Sequence, residues 1–112
     1  MENNQMASEQ IIAEVAAERE RQITQEGWTA EHDDLYTDGE LALAAAAYAE
    51  TSAVFPGGKP LDPSWPYPAI WPWDQTWWKP KNPRRDLVRA AALIVAEIER
   101  LDRQSPLVEV EG

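Results

Sequence analysis

The sequence predicts an all-α fold: a three-helix domain with a long, ordered strap rich in proline and tryptophan between helices 2 and 3. Two observations lead to this prediction. Helix-forming residues recur in three segments, each bounded by residues that start or stop helices. Eight of the nine prolines and five of the six tryptophans fall between the second and third segments, in residues 52–83. A chain of 112 residues has the size of one domain, so we treat 1–112 as a single domain.

The first predicted helix covers residues 8–26. Ser8 is a suitable N-cap, and apolar side chains such as Ile12 and Val15 recur at helical spacing after it. Gly27 follows as a stop signal. Residues 1–7 are polar and are predicted to form a frayed tail.

The second predicted helix begins at a capping box and runs through residues 40–51. Thr37 and Glu40 have the spacing at which a hydroxyl and a carboxylate each accept from the other's backbone N–H. The helix is rich in alanine, which favours helix formation but buries little area. We expect a row of four residues to contact the other helices: Leu41, Ala44, Ala45 and Tyr48.

The strap contains Phe55, a Gly57–Gly58 turn, Tyr67 and five tryptophans. Disordered segments are poor in aromatic residues, so an ordered segment is the better interpretation. Each buried aromatic ring removes roughly 150–250 Å² from water, which would supply the core area that alanine helices lack. We therefore predict that the indoles of the strap plug the core.

The third predicted helix starts at Asn82–Pro83, an N-cap residue followed by proline in the first helical position. It should end near Gln104, and residues 105–112 should form a frayed tail or an edge strand. One apolar stripe is predicted to face the core, formed by Leu87, Ala91, Ile94, Val95, Ile98 and Leu101.

Composition and charge restrict the classes of function. The chain has no cysteine, which excludes disulfides and zinc–thiolate sites. Neither a signal peptide nor a membrane span is recognisable, so we expect a cytoplasmic protein that does not enter membranes. The net charge of −10 argues against general nucleic-acid binding. It permits docking of the acidic half on the basic half, or an acidic surface that imitates DNA.

A basic cluster lies where the third helix should begin, the end at which the helix dipole favours negative charge. With indoles beside it for stacking on a base, the cluster suits a nucleotide whose phosphate is bound by cations and helix N–H groups. The candidate ligand-binding residues are Trp77, Trp78, Lys79, Lys81, Arg84, Arg85 and Arg89. In the alternative interpretation the acidic residues of the chain dock on this cluster, from Glu31, Asp33, Asp34, Asp38 and Glu40.

A second candidate is a Mg²⁺ site for nucleotide hydrolysis, because a histidine beside several carboxylates can hold a divalent cation. Its residues would be His32, Asp33, Asp34 and Glu40. The EExxE…ExxD pattern of MazG-type pyrophosphohydrolases is absent. Glu14 and Glu18, one turn apart, instead have the spacing of a solvated helix face.

Five segments resemble, as an ordered set, a family of small proteins of tailed bacteriophages and prophages. They are ERERQ (18–22), EGWTAEHDD (26–34), GELALAAAAYA (39–49), WPWDQTWWKP (71–80) and RRDLVRAAALIVAEIERLDR (84–103). The resemblance implies a phage accessory protein of the bacterial cytoplasm, with a task such as sequestering a nucleotide immune signal or blocking a host protein. It carries over no functional residue.

The leading hypothesis is a non-enzymatic binder of a small phosphorylated ligand, which needs no cofactor and acts as a homo-oligomer. The first alternative is a Mg²⁺-dependent nucleotide pyrophosphohydrolase. The second is an acidic inhibitor that binds a host protein.

Overall fold

A computed structural model describes residues 2–54 and 68–104, with the side chains of residues 2–6 left out. The helices are α1 (Glu2–Thr24), α2 (Ala30–Asp33), α3 (Glu40–Val54) and α4 (Pro83–Gln104), and a 3₁₀ turn covers Gln75–Trp77. These described residues contain no strand, so the all-α prediction is confirmed for them. They contain four α-helices where the sequence predicted three. The additional one, α2, is a single turn that is too short to produce a periodic pattern.

The first helix starts earlier than predicted. It begins at Glu2, so the residues expected to form a tail make its first turns, and Ser8 is not its N-cap. It ends at Thr24, and Gly27 adopts a positive φ of 77° that reverses the chain. Only a residue without a side chain adopts this backbone conformation at low cost.

The core lies mainly between α3 and α4. The predicted row on α3 is confirmed, since Leu41, Ala44, Ala45 and Tyr48 are all buried. The α4 residues that join this cluster are Ala90, Leu93 and Ala96. Because alanines form much of both surfaces, the two helices can approach closely. The predicted capping hydrogen bond of α3 is shifted by one residue. The Glu40 carboxylate accepts from the N–H of Asp38 at 2.9 Å, and not from that of Thr37.

The start of α4 is as predicted, but its predicted core face is wrong. Asn82 Oδ1 accepts from the N–H of Arg85 at 2.9 Å, and Pro83 is the first helical residue. The large residues of the predicted stripe are about half exposed: Leu87 50%, Ile94 49%, Ile98 52% and Leu101 48%. The helix turns Leu93 and several alanines toward α3, which leaves these four large side chains half exposed.

The described part of the strap packs aromatic rings on the core. Trp71 is 7% exposed and donates its indole N–H to the Asp74 carbonyl at 3.1 Å. Trp78 stacks on Tyr48 with the ring centroids 4.6 Å apart. Trp77 differs, since 57% of its surface is exposed. Trp65, Gly57–Gly58 and the predicted tail 105–112 lie outside the described residues.

No helix formed by the described residues combines the length and the apolar character that crossing a membrane requires.

Candidate functional site

An aromatic pocket of about 320 Å³ opens between the end of α1, the α2 region and the strap. Two stretches that are distant in the sequence supply its walls, residues 26–36 and residues 71–77. The lining residues are Glu26, Trp28, His32, Tyr36, Trp71, Trp73, Asp74 and Trp77. The pocket therefore combines five large aromatic rings with a histidine and two carboxylates.

The chain reversal after α1 positions one wall of the aromatic pocket. The N–H of Trp28 donates to the Gln22 carbonyl at 2.9 Å, which folds the residues after Gly27 back onto the helix. Thr29 then caps α2 by accepting from the N–H of His32 at 3.3 Å. As a result the Trp28 and His32 rings lie nearly parallel, 6.3 Å apart with an interplanar angle of 4°.

Trp73 holds the opposite wall against three other rings. Its centroid lies 5.2 Å from Tyr36, 5.3 Å from Trp71 and 5.9 Å from Trp28. Its indole N–H is buried and has no acceptor among the described residues. A buried donor without a partner is costly, so this indole is held in place by its ring contacts and not by a hydrogen bond.

Hydrogen bonds orient His32. Its Nδ1 lies 3.0 Å from Asp33 Oδ1, and its Nε2 lies 3.3 Å from the Tyr36 hydroxyl. Burial, and then the charges of Asp33 and Glu40, raise the pKa of Tyr36. The Asp33 carboxylate can only accept, so Nδ1 donates to it, and in the tautomer with its proton on Nδ1 the Nε2 atom accepts from the Tyr36 hydroxyl.

The two carboxylates of the aromatic pocket have different hydrogen-bond and ion-pair partners. The backbone N–H of Thr76 donates to Asp74 at 2.9 Å and holds the pKa of this carboxyl below its usual value. Glu26 pairs with Arg21 at 2.9 Å. An ionised Asp74 gives the pocket an acceptor for N–H groups of a bound ring.

A smaller cavity of about 50 Å³ adjoins the aromatic pocket and shares Glu26, Trp28 and Trp77 with it. Its basic lining residues are Arg21, Lys79 and Arg89. Arg89 donates to the Lys79 carbonyl and lies 5.8 Å from the Tyr48 ring, while its Nε has no acceptor among the described residues. The basic residues of the smaller cavity thus lie beside the aromatic pocket, with which this cavity shares the Trp77 indole.

The structure divides the predicted ligand-binding residues into two groups. Trp77, Lys79 and Arg89 line the smaller cavity, and Trp77 also lines the aromatic pocket. The remaining four line neither cavity: Trp78 packs in the core, Lys81 donates its backbone N–H to Asp86, and Arg84 and Arg85 form ion pairs.

The partners of those arginines come from α1. Arg84 binds Glu14 through two hydrogen bonds of 2.7 and 2.8 Å, and Arg85 binds Glu18. Glu18 is 2% exposed, so its interpretation as part of a solvated face is wrong. Acidic residues of the chain do dock on the basic cluster, but they belong to α1 and not to residues 31–40.

The residues of the alternative metal site have separate partners. Asp33 pairs with Arg19 at 3.1 Å and Asp34 with Arg103 at 2.8 Å, while Glu40 caps α3. Across residues 2–54 and 68–104, no group of three or more histidine, aspartate or glutamate side chains is arranged to hold a metal ion.

Sequence reasoning missed six residues of the aromatic pocket. The signal for two of them was the mixture of aromatic and acidic residues in the connector after α1. Trp71, Trp73 and Asp74 were part of the strap but were not distinguished from its other residues, because the path of the strap decides which indoles meet. The missed residues are Glu26, Trp28, Tyr36, Trp71, Trp73 and Asp74.

Comparison of the chain with protein-family models, with curated proteins and with solved structures found no match.

Proposed function

We propose that the protein binds a nucleotide without transforming it, with the base in the aromatic pocket and the phosphate at Lys79 and Arg89. The observation that carries this proposal is the aromatic pocket itself. Its volume of about 320 Å³ is within the range of roughly 300–1,000 Å³ that is common for small-molecule sites. Its walls are flat rings, which favour a flat ligand.

The chemistry of the pocket suits a nitrogen-containing ring. Indole and phenol faces stack on bases, and each such contact contributes on the order of 1–3 kcal/mol. The Asp74 carboxylate would accept from a ring N–H or an amino group, so bases that carry such donors should bind best.

The phosphate would lie in the smaller cavity. Lys79 is exposed, and no ion pair within the described residues involves it. Arg89 lines the same cavity, where it donates to the Lys79 carbonyl and lies 4.0 Å from Asp86. The two acids of this cavity are paired, Glu18 with Arg21 and Arg85, and Glu26 with Arg21. Lys79 is therefore the cation that this cavity offers without an ion pair among the described residues.

The resemblance to phage proteins supports a host-facing role for such a binder. A phage accessory protein in the bacterial cytoplasm that retains a nucleotide would lower the concentration of an immune signal. In this proposal the protein acts by sequestration and needs no cofactor.

Isothermal titration tests the proposal, with nucleoside monophosphates, triphosphates, cyclic mononucleotides and cyclic dinucleotides as the probes. We expect binding of at least one nucleotide, which chromatography then recovers intact. Lys79→Glu should weaken this binding at least tenfold and leave binding of the matching nucleoside unchanged. Lys81→Glu is the matched control, since Lys81 is an exposed lysine two residues away that lines neither cavity. Absence of heat from every nucleotide at high micromolar protein would refute the proposal.

A second candidate ligand is an organic cation. Aromatic rings bind quaternary ammonium groups through their faces, and Glu26 and Asp74 would add negative charge. Choline and trimethyllysine are therefore included in the titration. Binding of these two, with no response to nucleotides, would replace the nucleotide by a cation as the ligand of the aromatic pocket.

A further inference from the structure

The outer face of α4 carries an apolar stripe with no partner among the described residues. We define the α4 stripe as Leu87, Ala91, Ile94, Ile98 and Leu101. Its four large side chains are each about half exposed. Contiguous exposed apolar surface of this kind marks an interaction site more often than ordinary surface does.

The spacing of the α4 stripe is that of a helix-pairing seam. Leu87, Ile94 and Leu101 are seven residues apart, and Ala91 and Ile98 are again seven apart. Steps of four and three therefore alternate along the stripe, as in helices that pack side by side with knobs in holes. The three described helices that contact α4 use other faces. Ala90, Leu93 and Ala96 meet the α3 cluster, α1 is joined through ion pairs, and Arg103 pairs with Asp34 at the end of α2.

We propose that the α4 stripe is the two-fold interface of a homodimer, in which α4 packs antiparallel on α4 of a second copy. The pairing is centred on Ile94, which meets the partner's Ile94. Leu87 then meets the partner's Leu101, and Ala91 meets the partner's Ile98. A small residue opposite a large one lets the two helices interdigitate, and a two-fold axis repeats each of these contacts.

Charged residues along one edge of the α4 stripe favour a second copy of the chain as the partner, in the antiparallel orientation. Arg84 and Asp102 lie on the same edge, ten residues before and eight residues after Ile94. At a rise of about 1.5 Å per residue, they are roughly 15 and 12 Å from the centre. Antiparallel pairing therefore brings Arg84 beside the partner's Asp102, twice in the dimer. In a parallel pair the two-fold axis would run along the helices, so Arg84 would face the opposite edge of the partner and lie roughly 27 Å along the helix from the partner's Asp102.

Both residues are available for this contact. The Arg84 side chain is 65% exposed although it binds Glu14. Asp102 is exposed, and the described part of the chain contributes no ion pair to it. An interdigitated pair of this kind gives two complementary ion pairs at the ends of an apolar seam.

The interface extends from α4 toward α1. A groove of about 280 Å³ lies between the two helices, lined on its apolar side by Ile12, Val15, Ala16 and Val95. Ile12 is 67% exposed and Ile11 47%. A stable interface buries about 800 Å² on each partner, and the groove adds exposed apolar side chains of α1 to those of the stripe.

Sedimentation equilibrium tests the dimer. The chain has a mass of 12.6 kDa, and we expect the wild type to sediment with twice this mass at micromolar concentration. Ile94→Asp should give the monomer mass with unchanged helix content by circular dichroism. Leu43→Asp is the matched control, since Leu43 is an exposed leucine of α3 outside the stripe, and it should remain a dimer. A monomeric wild type would overturn the proposal, as would a dimer that survives Ile94→Asp.

Exchange of the edge charges tests the antiparallel register without touching the apolar residues. Arg84→Asp and Asp102→Arg each replace two attractive pairs by two repulsive ones and should weaken the dimer at least tenfold. In an equimolar mixture of the two variants both pairs become attractive again, so a heterodimer should form with nearly wild-type affinity. A mixture that sediments no heavier than its components would overturn the register.

Discussion

The replacement Glu18→Gln tests whether buried charge pairs hold α1 on α4. The Glu18 side chain is 1% exposed and accepts from three side chains. Arg21 donates at 2.9 and 3.0 Å, Gln22 at 3.1 Å, and Arg85 donates from α4. Glutamine keeps the size of the side chain but removes the negative charge, so both arginines lose the ion that they share.

The expected loss of stability follows from the exposure of the partners. Removal of one member of a fully buried ion pair typically costs about 3–5 kcal/mol. Here Arg21 and Arg85 keep side-chain exposures of 30% and 34%, so water solvates them after the change. We therefore expect a smaller loss of about 2 kcal/mol in the free energy of unfolding.

The pH dependence gives a second signature of the same group. Burial acts to raise the pKa of Glu18, but the hydrogen bonds from Arg21 and the charge of Arg85 outweigh it and the pKa is lowered. A lowered carboxyl pKa stabilises the fold above the unfolded-state pKa, and this stability is lost as the pH falls through the folded-state pKa. The difference between wild type and Glu18→Gln should thus be full at neutral pH and shrink in acid.

Urea unfolding followed by circular dichroism measures both effects, at one fixed protein concentration because association would shift the midpoint. Glu14→Gln is the matched control, a glutamate one turn earlier that pairs with Arg84 where both side chains are largely exposed. It should cost much less than Glu18→Gln, because water screens an exposed ion pair. Equal effects of the two replacements, or a Glu18→Gln loss that persists unchanged in acid, would refute the reasoning.

Three further changes test other parts of the fold by urea unfolding. Trp71→Ala removes a ring that is 7% exposed and should cost about 3 kcal/mol; a loss below about 1 kcal/mol would place the indole outside the core. Gly39→Ala should cost about 1 kcal/mol from backbone strain alone, since φ is 81° and no atom lies within 4 Å of the added carbon; an unchanged stability would contradict the strain. Burial raises the pKa of Asp86, and the hydrogen bond from the Lys81 N–H and the charge of Arg89 offset this only in part. The ionised carboxylate therefore destabilises the fold at neutral pH. Asp86→Asn should therefore be more stable than wild type at neutral pH. This advantage should be lost as the pH falls through the raised pKa of Asp86. A variant that is less stable than wild type at neutral pH would show that the charge of Asp86 is favourable.

The sequence was sufficient to predict those features that depend only on residues close together in the chain, such as a helix end or a row of contact residues on one helix. Asn82 and Pro83 define the start of α4, because the Asn82 side-chain oxygen accepts from a backbone N–H of the first turn and Pro83 has no N–H that needs a partner. The row from Leu41 to Tyr48 was predictable since these residues share one face of a single helix. The all-α class followed from three such segments.

The orientation of α4 could not be predicted from its own pattern. Periodicity locates its most apolar face, but which face meets α3 depends on how closely the two backbones approach. Alanines on both helices permit a close approach, which buries Ala92 and Ala96 and leaves Ile94 outside. The aromatic pocket was unpredictable for a related reason, since Trp28 and Trp73 are 45 residues apart and meet only because the strap returns to the end of α1.

The basic residues at the start of α4 were the clearest conflict in the sequence, because they place positive charge at the positive end of a helix dipole. The structure divides this conflict between two places. Arg85 fastens α1 through the buried Glu18, whereas Arg84 pairs with Glu14 at the surface and keeps 65% of its side chain exposed. Lys79 and Arg89, beside Trp77, are the members of the basic cluster that line a cavity. Changes at Arg85 should therefore act on stability, and changes at Lys79 on binding, which makes the two roles separable by experiment.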